Sequence, residues 1–534
     1  MLKSKTWMSG GVFVFLLSLT VSVQAQGVVE AWVTHYNFAA VDEAQALAVD
    51  DSGNVYVTGR SGASETAVDF ATIKYTPDGD SVWVRRYNGP GNGTDSPNAL
   101  AVDHTGNVYV AGSSLGSGTS SDYATLKYAP NGNTLWIRRY DGPDSSFEIA
   151  NALAVDDSGN VYVTGESPGV GTNDDYATIK YAPNGDSLWV ARYNGPGNFI
   201  DQAQAVAVDD SGNVYVTGYS WSTTSIDYAT IKYAPNGDSL WVRRYDGPAG
   251  GDDRAVQLAV DGVGNVYVTG ESPGSGTGFD YATIKYAPNG DSLWVRRYNG
   301  PANGDDRTEA VALDDSGNVF VTGLSLGSGS GFDYATIKYA PSGDTVWVRR
   351  YNGPPGSSSD QAFALAIDDS GNAYVTGRSF GSGTSFDYAT INYAPNGDSL
   401  WVKRYNGPGN GPDRALAVAA DGSANVYVTG GITGSGTGLD FATIKYSTCL
   451  AKPGDANASG TYTLADVIAI VNYIFNKPGC SPAPLCWLSG LQCRGDWNAS
   501  GNVTLSDVIQ AVNFIFNKPG GPWNSLPVGV CCLP

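Results

Sequence analysis

The feature that most constrains this chain is a repeat. The heptapeptide GNVYVTG, or a close variant, begins at residues 53, 106, 159, 212, 264, 317, 371 and 424, giving a period of 52–54 residues through eight copies. A period of that length belongs to propellers and solenoids, in which each unit buries its apolar faces only against its neighbours. Every unit carries four strand-like runs; in the third they are ALAVD (152–156), NVYVTG (160–165), YATIKYA (176–182) and SLWVARY (187–193). All are rich in β-branched and aromatic residues and bounded by Gly, Asn, Asp or Pro. Four strands per unit fit a propeller blade. A β-solenoid is the competing architecture, but its coils are shorter and need no closure.

The connections are of two kinds. DDSGN joins the first two strands and PNGD the last two, both compact hairpin turns. The other two links are longer and variable. Alternate connections of an up-and-down blade emerge on opposite faces, so one face carries uniform turns. The other gathers the irregular loops, where function concentrates.

The eighth unit has LAVAA, NVYVTG and FATIKYS, then passes to TCLAKPGD without a Trp strand. EAWVTHYNF (30–38) supplies the missing piece, with Trp32 aligned to Trp83 and Tyr36 to Tyr87. A ring explains this, because the first strand then completes the last blade and removes an open edge. The expected fold is all-β: an eight-bladed β-propeller over residues 26–447, closed by an N-terminal strand. A small α-helical module with paired calcium loops follows at 448–534. The pattern DDSGNVYVTG…DYATIKY resembles the secreted bacterial family of "seven-bladed" propeller repeats, over residues 28–447. The resemblance implies a propeller and brings no established activity; the departure is eight units where that family has seven.

A chain of 534 residues is too long for one ordinary core unless it is an array or barrel, and 69 glycines with 32 tyrosines suit many short strands. The formal charge of −21 excludes nucleic acid as a partner, which needs a basic surface. The acidity itself reads as solubility. Residues 1–25 combine Lys3 and Lys5, the apolar run GVFVFLLSLTVSV and a VQA cleavage site, the pattern of a signal peptide. That run is shorter than the ~20 residues a spanning helix needs. The mature protein is therefore expected to be secreted, extracellular or held at the cell surface, without a membrane span, and monomeric. All six cysteines lie at 449 or beyond. In an exported chain such an even set forms disulfides, with 15 connectivities open for three bridges, and no Cys-x-x-Cys pair supports zinc.

Two acidic series recur on the variable face. One precedes the third strand (Asp69, Asp122, Asp175, Asp227, Asp280, Asp333, Asp387, Asp440) and one the first (Asp42, Asp95, Glu148, Asp201, Asp253, Asp306, Asp360, Asp413). Either they form a carboxylate ring for cations or a polycationic ligand, or each satisfies backbone N–H groups at a strand entry. The second reading is favoured, because buried backbone donors need partners in every blade. Four residues break the symmetry as candidate ligand contacts: Trp221, Arg254, Arg307 and Arg414. Arginine and aromatic side chains suit an acidic or sugar ligand; the plainer account pairs the arginines with adjacent aspartates and packs the aromatics onto blade tops. Neither His35 nor His104 neighbours a candidate nucleophile, so no catalytic residue is assigned.

The C-terminal segment is more explicit. GDANASGTYTLADVIAIVNYIFNKPG (454–479) recurs as GDWNASGNVTLSDVIQAVNFIFNKPG (495–520). Loop positions 1, 3, 5, 7 and 12 are Asp455, Asn457, Ser459, Thr461 and Asp466, then Asp496, Asn498, Ser500, Asn502 and Asp507. Position 7 would contribute its carbonyl. Two Ca2+ sites are expected, since this spacing wraps oxygen ligands around a hard ion. The paired loop-helix units resemble a type I dockerin, which implies a cohesin-like partner or cell-surface scaffold. The Cys-containing insert at 480–493 and the Leu464-Ala465 and Leu505-Ser506 pairs depart from that pattern. The function expected is non-catalytic binding or scaffolding, with calcium-dependent attachment. The alternatives are a secreted carbohydrate-active enzyme acting on polysaccharide (glycoside hydrolase or polysaccharide lyase) and a structural surface or adhesion protein.

Overall fold

The computed structural model describes residues 28–64, 67–354, 359–381 and 383–448. The expected signal peptide, the calcium loops and the six cysteines lie outside these residues. The compact unit spans Val28–Cys449. It contains eight four-stranded antiparallel blades, six of them separate sheets and the first and eighth merged into one eight-stranded sheet, and, among the described residues, no helix. In the third blade the strands are Ile149–Val155, Val161–Pro168, Asp174–Tyr181 and Ser187–Tyr193, paired in that order. The innermost strands of successive blades touch in chain order, and that of the eighth, Arg414–Ala420, touches that of the first, Val41–Val49.

The eighth blade draws its outer strand from the other end of the described chain. Val28–Tyr36 runs antiparallel to Gly438–Thr448, with Trp32 opposite Lys445 and Tyr36 opposite Phe441. The first and eighth blades are joined by one parallel bridge, Val41 to Leu439.

Each apolar core lies between two blades, which is why the middle strands are hydrophobic on both faces. Tyr109, Tyr123 and Trp136 of the second blade pack against Val161, Val163, Ile179 and Tyr181 of the third. Tyr162 points the other way, into the core shared with the fourth blade. The outer-strand Trp also reaches across. Trp136 donates its indole N–H to the Pro183 carbonyl at 3.0 Å, and Trp83 does the same to Pro130 at 3.1 Å. Trp401 faces the eighth blade, whose third and outer strands come from distant chain segments and share no PNGD turn, and its indole N–H has no partner.

The uniform face follows from the DDSGN motif. Asp50 accepts from the amides of Ser52 (3.0 Å) and Asn54 (2.9 Å), the Asn54 side chain (2.8 Å) and the Tyr56 hydroxyl (2.9 Å). Gly53 takes φ +77°, a conformation that glycine adopts without steric cost.

Candidate functional site

On the variable face, a guanidinium ties seven of the eight blades to their predecessors. Arg192 reaches Asp175 (3.0 Å), the Ser167 hydroxyl (2.7 Å) and the Tyr140 hydroxyl of the preceding blade (3.0 Å). Arg86, Arg139, Arg244, Arg297, Arg350 and Arg404 form the same ion pair with Asp69, Asp122, Asp227, Asp280, Asp333 and Asp387. His35 stands in the arginine's place in the eighth blade, with Nε2 2.6 Å from the Tyr405 hydroxyl. The expectation of backbone capping therefore needs correction for the Asp69 series, whose main partner is a guanidinium. It holds for the aspartates of the other series, though not for Glu148: Asp201 accepts from the amides of Gly195 (2.6 Å) and Trp221 (3.1 Å).

Against this repeated frame, one pair of register positions varies. The residue after each VTG-type motif lies opposite a residue of the innermost strand: Arg60 and Glu43, Ser113 and Ser96, Glu166 and Ile149, Tyr219 and Gln202, Glu271 and Arg254, Leu324 and Arg307, Arg378 and Gln361, Gly431 and Arg414. Arg254 and Arg307 converge on Glu271, each at 3.3 Å, and also pair with Asp252 (3.0 Å) and Asp305 (3.3 Å). Arg414 pairs with Glu43 of the first blade, its Nε at 2.5 Å. The neighbouring Asp413 is buried and accepts from the amides of Gly407 (2.6 Å) and Thr433 (2.7 Å). Trp221 packs on Phe199 with ring centroids 5.3 Å apart. Pairing and packing thus account for much of what the four candidates do.

Arg378 is different. Its Nη2 donates to Gln361 at 2.7 Å, its Nε is buried without a partner, and among the described residues no carboxylate pairs with it. The guanidinium lies 4.5 Å from the centroid of the Phe386 ring. Burial, and then the Arg414 charge, pull its pKa below the usual guanidinium range. Arg378, Phe386, Pro412, Asp413, Arg414, Gly431 and Leu439 line a cavity of about 200 Å³ between the seventh and eighth blades, Asp413 being held by its two amides. Gly431 helps leave that room, since six of the other blades carry a larger side chain there and the second a serine. A larger hollow of about 530 Å³ lies on the uniform face between the first and eighth blades. Its Asp50 and Asp421 already serve their own turns, so it offers less free chemistry.

Three carboxyls also stand out, Glu166 and Glu309 half-buried and Glu148 fully buried. Burial, reinforced by Asp174, raises Glu166 to about 7, burial with Glu271 raises Glu309 to about 7, and burial with Asp141 raises Glu148 to about 8. Sequence reasoning missed Glu43, Glu166, Glu271 and Arg378. A signal was present, because the residue after each VTG-type motif is the one that changes most from blade to blade. The expected calcium ligands, Asp455 to Asp466 and Asp496 to Asp507, lie outside the described residues.

A β-propeller repeat family model matches five segments, 32–64, 82–118, 135–169, 188–224 and 346–383. Each match starts at, or one residue before, the Trp of an outer strand, the first at Trp32 itself. An uncharacterized WD repeat-containing protein of Acanthamoeba polyphaga mimivirus is 22% identical over 396 residues, covering 65% of this chain and 24% of that protein. The chain therefore spans about a quarter of the relative it matches. Among solved structures, Chaetomium thermophilum Sqt1, bound to the N-terminus of a ribosomal protein, is similar at 11% identity and TM-score 0.48, covering 78% of this chain and all of that one. The β-propeller domain of the Trilobed protease from Pyrococcus furiosus is similar at 8% identity and TM-score 0.38, covering 65% and 94%.

Proposed function

We propose that this β-propeller repeat protein is an extracellular, non-catalytic binding or scaffold protein whose variable-loop face receives a carboxylate-bearing ligand. The observation that carries this reading is Arg378, a guanidinium without an ionic partner among the described residues, set beside Arg414 in an apolar-walled cavity. Two guanidiniums beside an aromatic floor suit bidentate recognition of a carboxylate. Symmetry supports it too, since a ligand of one shape needs a place where the blades differ. The C-terminal calcium loops would attach the protein to a cohesin-like partner or a cell-surface scaffold.

The test is an array of neutral and uronic-acid oligosaccharides together with acidic peptides, probed with the wild type and with Arg378→Ala. Selective retention of the acidic ligands, lost in the variant, is expected. Equal binding by both proteins would overturn the assignment. A second reading, polysaccharide cleavage, is favoured by Glu166, whose carboxyl sits near neutrality as a general acid requires. Reducing-end release from an acidic polysaccharide, abolished by Glu166→Gln, would select it.

A further inference from the structure

The residue after the outer-strand Tyr is Asn in six blades (Asn37, Asn88, Asn194, Asn299, Asn352, Asn406) but Asp at 141 and 246. The change at 141 brings a third carboxylate to a pair already present. One oxygen each of Asp122, Asp141 and Glu148 lies within 4.8 Å of the others. Glu148 is fully buried; the Gly142 amide faces it, but neither carboxylate oxygen has a well-formed hydrogen bond. In other blades the equivalent acid is a shorter Asp bound to a backbone amide, such as Asp95 from Gly89 (2.6 Å) or Asp306 from Gly300 (2.5 Å). Asp122 gives its Oδ2 to Arg139 (2.6 Å from Nη2), while its Oδ1 is buried and unpartnered.

We infer that Asp122, Asp141 and Glu148 form a divalent-cation site joining the second blade to the third. The argument is one of charge and desolvation. Three carboxyls share one guanidinium, that of Arg139, in a largely buried place; burial and the neighbouring Asp141 raise Glu148 to about 8, so a bound cation would displace its proton and relieve a desolvated, unpaired carboxyl. An oxygen-only donor set matches a hard ion such as calcium, which takes 6–8 oxygens at ~2.3–2.6 Å. Exposed Asp141 leaves a side open for water to complete the shell and for the ion to enter. Asp141 follows the outer strand of the second blade and Glu148 precedes the innermost strand of the third, so the ion would staple the junction. The triad Asp227, Asp246 and Asp253 lacks this character. Asp227 accepts from both Arg244 (2.9 Å) and Ser225 (3.2 Å); Asp253 accepts from the Gly247 amide (2.8 Å) and keeps only Oδ1 buried and unpartnered, where Glu148 keeps both oxygens.

The experiment is calcium titration by calorimetry on the full chain, stripped with chelator, comparing wild type, Asp141→Asn, Glu148→Asp and Asp246→Asn. Both substitutions at the site install residues that equivalent blades already carry, so folding, checked by circular dichroism, should survive. The expected result is one calcium equivalent fewer, or at least tenfold weaker binding of one equivalent, in the Asp141 and Glu148 variants only. Comparing variants within the full chain separates this site from binding at the C-terminal loops, which stays constant. Unchanged stoichiometry and affinity in both variants would overturn the site, as would an equal loss in Asp246→Asn.

Discussion

Trp32, on the first described strand, donates its indole N–H to the carbonyl of Pro77 at 3.0 Å, and Lys445 from the partner strand reaches the same oxygen at 3.0 Å. The bond copies the one that Trp83 makes to Pro130 and Trp136 to Pro183. The junction of the last blade with the first thus repeats the chemistry of the other junctions, that of Trp401 with the eighth blade excepted, although its strands lie some 370 residues apart. Deleting 28–36 should expose the edge of Gly438–Thr448 and yield a protein that melts lower and aggregates. Trp32→Ala alone should cost about 2 kcal/mol, less than for a fully buried Trp because the residue is only partly buried. Thermal melts of both variants test this, and an unchanged midpoint after the deletion would show that the strand does not hold the ring.

The ties between blades should differ in worth according to burial. The Arg192–Asp175 pair is mostly buried, with side-chain exposures of 23% and 8%, whereas Arg254–Asp252 is exposed at 34% and 40%. Arg192→Ala strands a buried carboxylate and two hydroxyls, and should cost about 2–3 kcal/mol. Asp252→Ala should cost about 0.5 kcal/mol or less, the usual worth of a surface pair. Urea unfolding of the two variants decides it, and equal costs would mean that the guanidinium tie is ornamental.

The turn carboxylates predict how stability responds to acid. Burial would raise the Asp103 carboxyl, but hydrogen bonds from Asn107, Thr105 and Tyr109 outweigh it and hold the pKa at about 2, against an ordinary 3.8. A carboxyl held low stabilises the fold above its unfolded-state value, and that contribution is lost as pH falls through the folded-state value. The wild type should therefore exceed Asp103→Asn in urea midpoint by a constant margin from pH 7 to 5, and the margin should shrink toward pH 2. A margin that grew on acidification would contradict the assigned hydrogen bonds.

Much of the frame was legible because it repeats. Eight appearances of Trp, Tyr and Gly at one spacing, with Trp32 displaced to the far end, give blade number and strand order before any coordinate. The partners across each ladder were not legible. Sequence shows Arg414 beside Asp413, yet Asp413 turns inward to two amides and Glu43, 371 residues away, receives the guanidinium. The pairing of Arg378 with Gln361 depends on a one-residue bulge in the innermost strand between Ala362 and Ala364, a shift that side-chain alternation alone does not announce. Asp175 and Asp201 look alike in sequence, but one meets an arginine and the other backbone amides.

The last prediction concerns the glycine of the PNGD turn, which serves two purposes that can be separated. Gly132 has φ +82°, and a Cβ placed there would sit 2.9 Å from the Trp83 ring of the preceding blade and 2.9 Å from the Arg85 guanidinium. Gly118, in a variable loop, has a similar φ of +89° but nothing within 4 Å of the same added atom. Alanine at 118 should therefore cost about 1 kcal/mol, the backbone penalty alone. Alanine at 132 adds displacement of Trp83 and weakening of its bond to Pro130, and should cost about 3 kcal/mol. Trp fluorescence and urea midpoints of the two variants measure the difference. Equal costs would place the whole effect in the backbone and leave the Trp83 contact without energetic consequence.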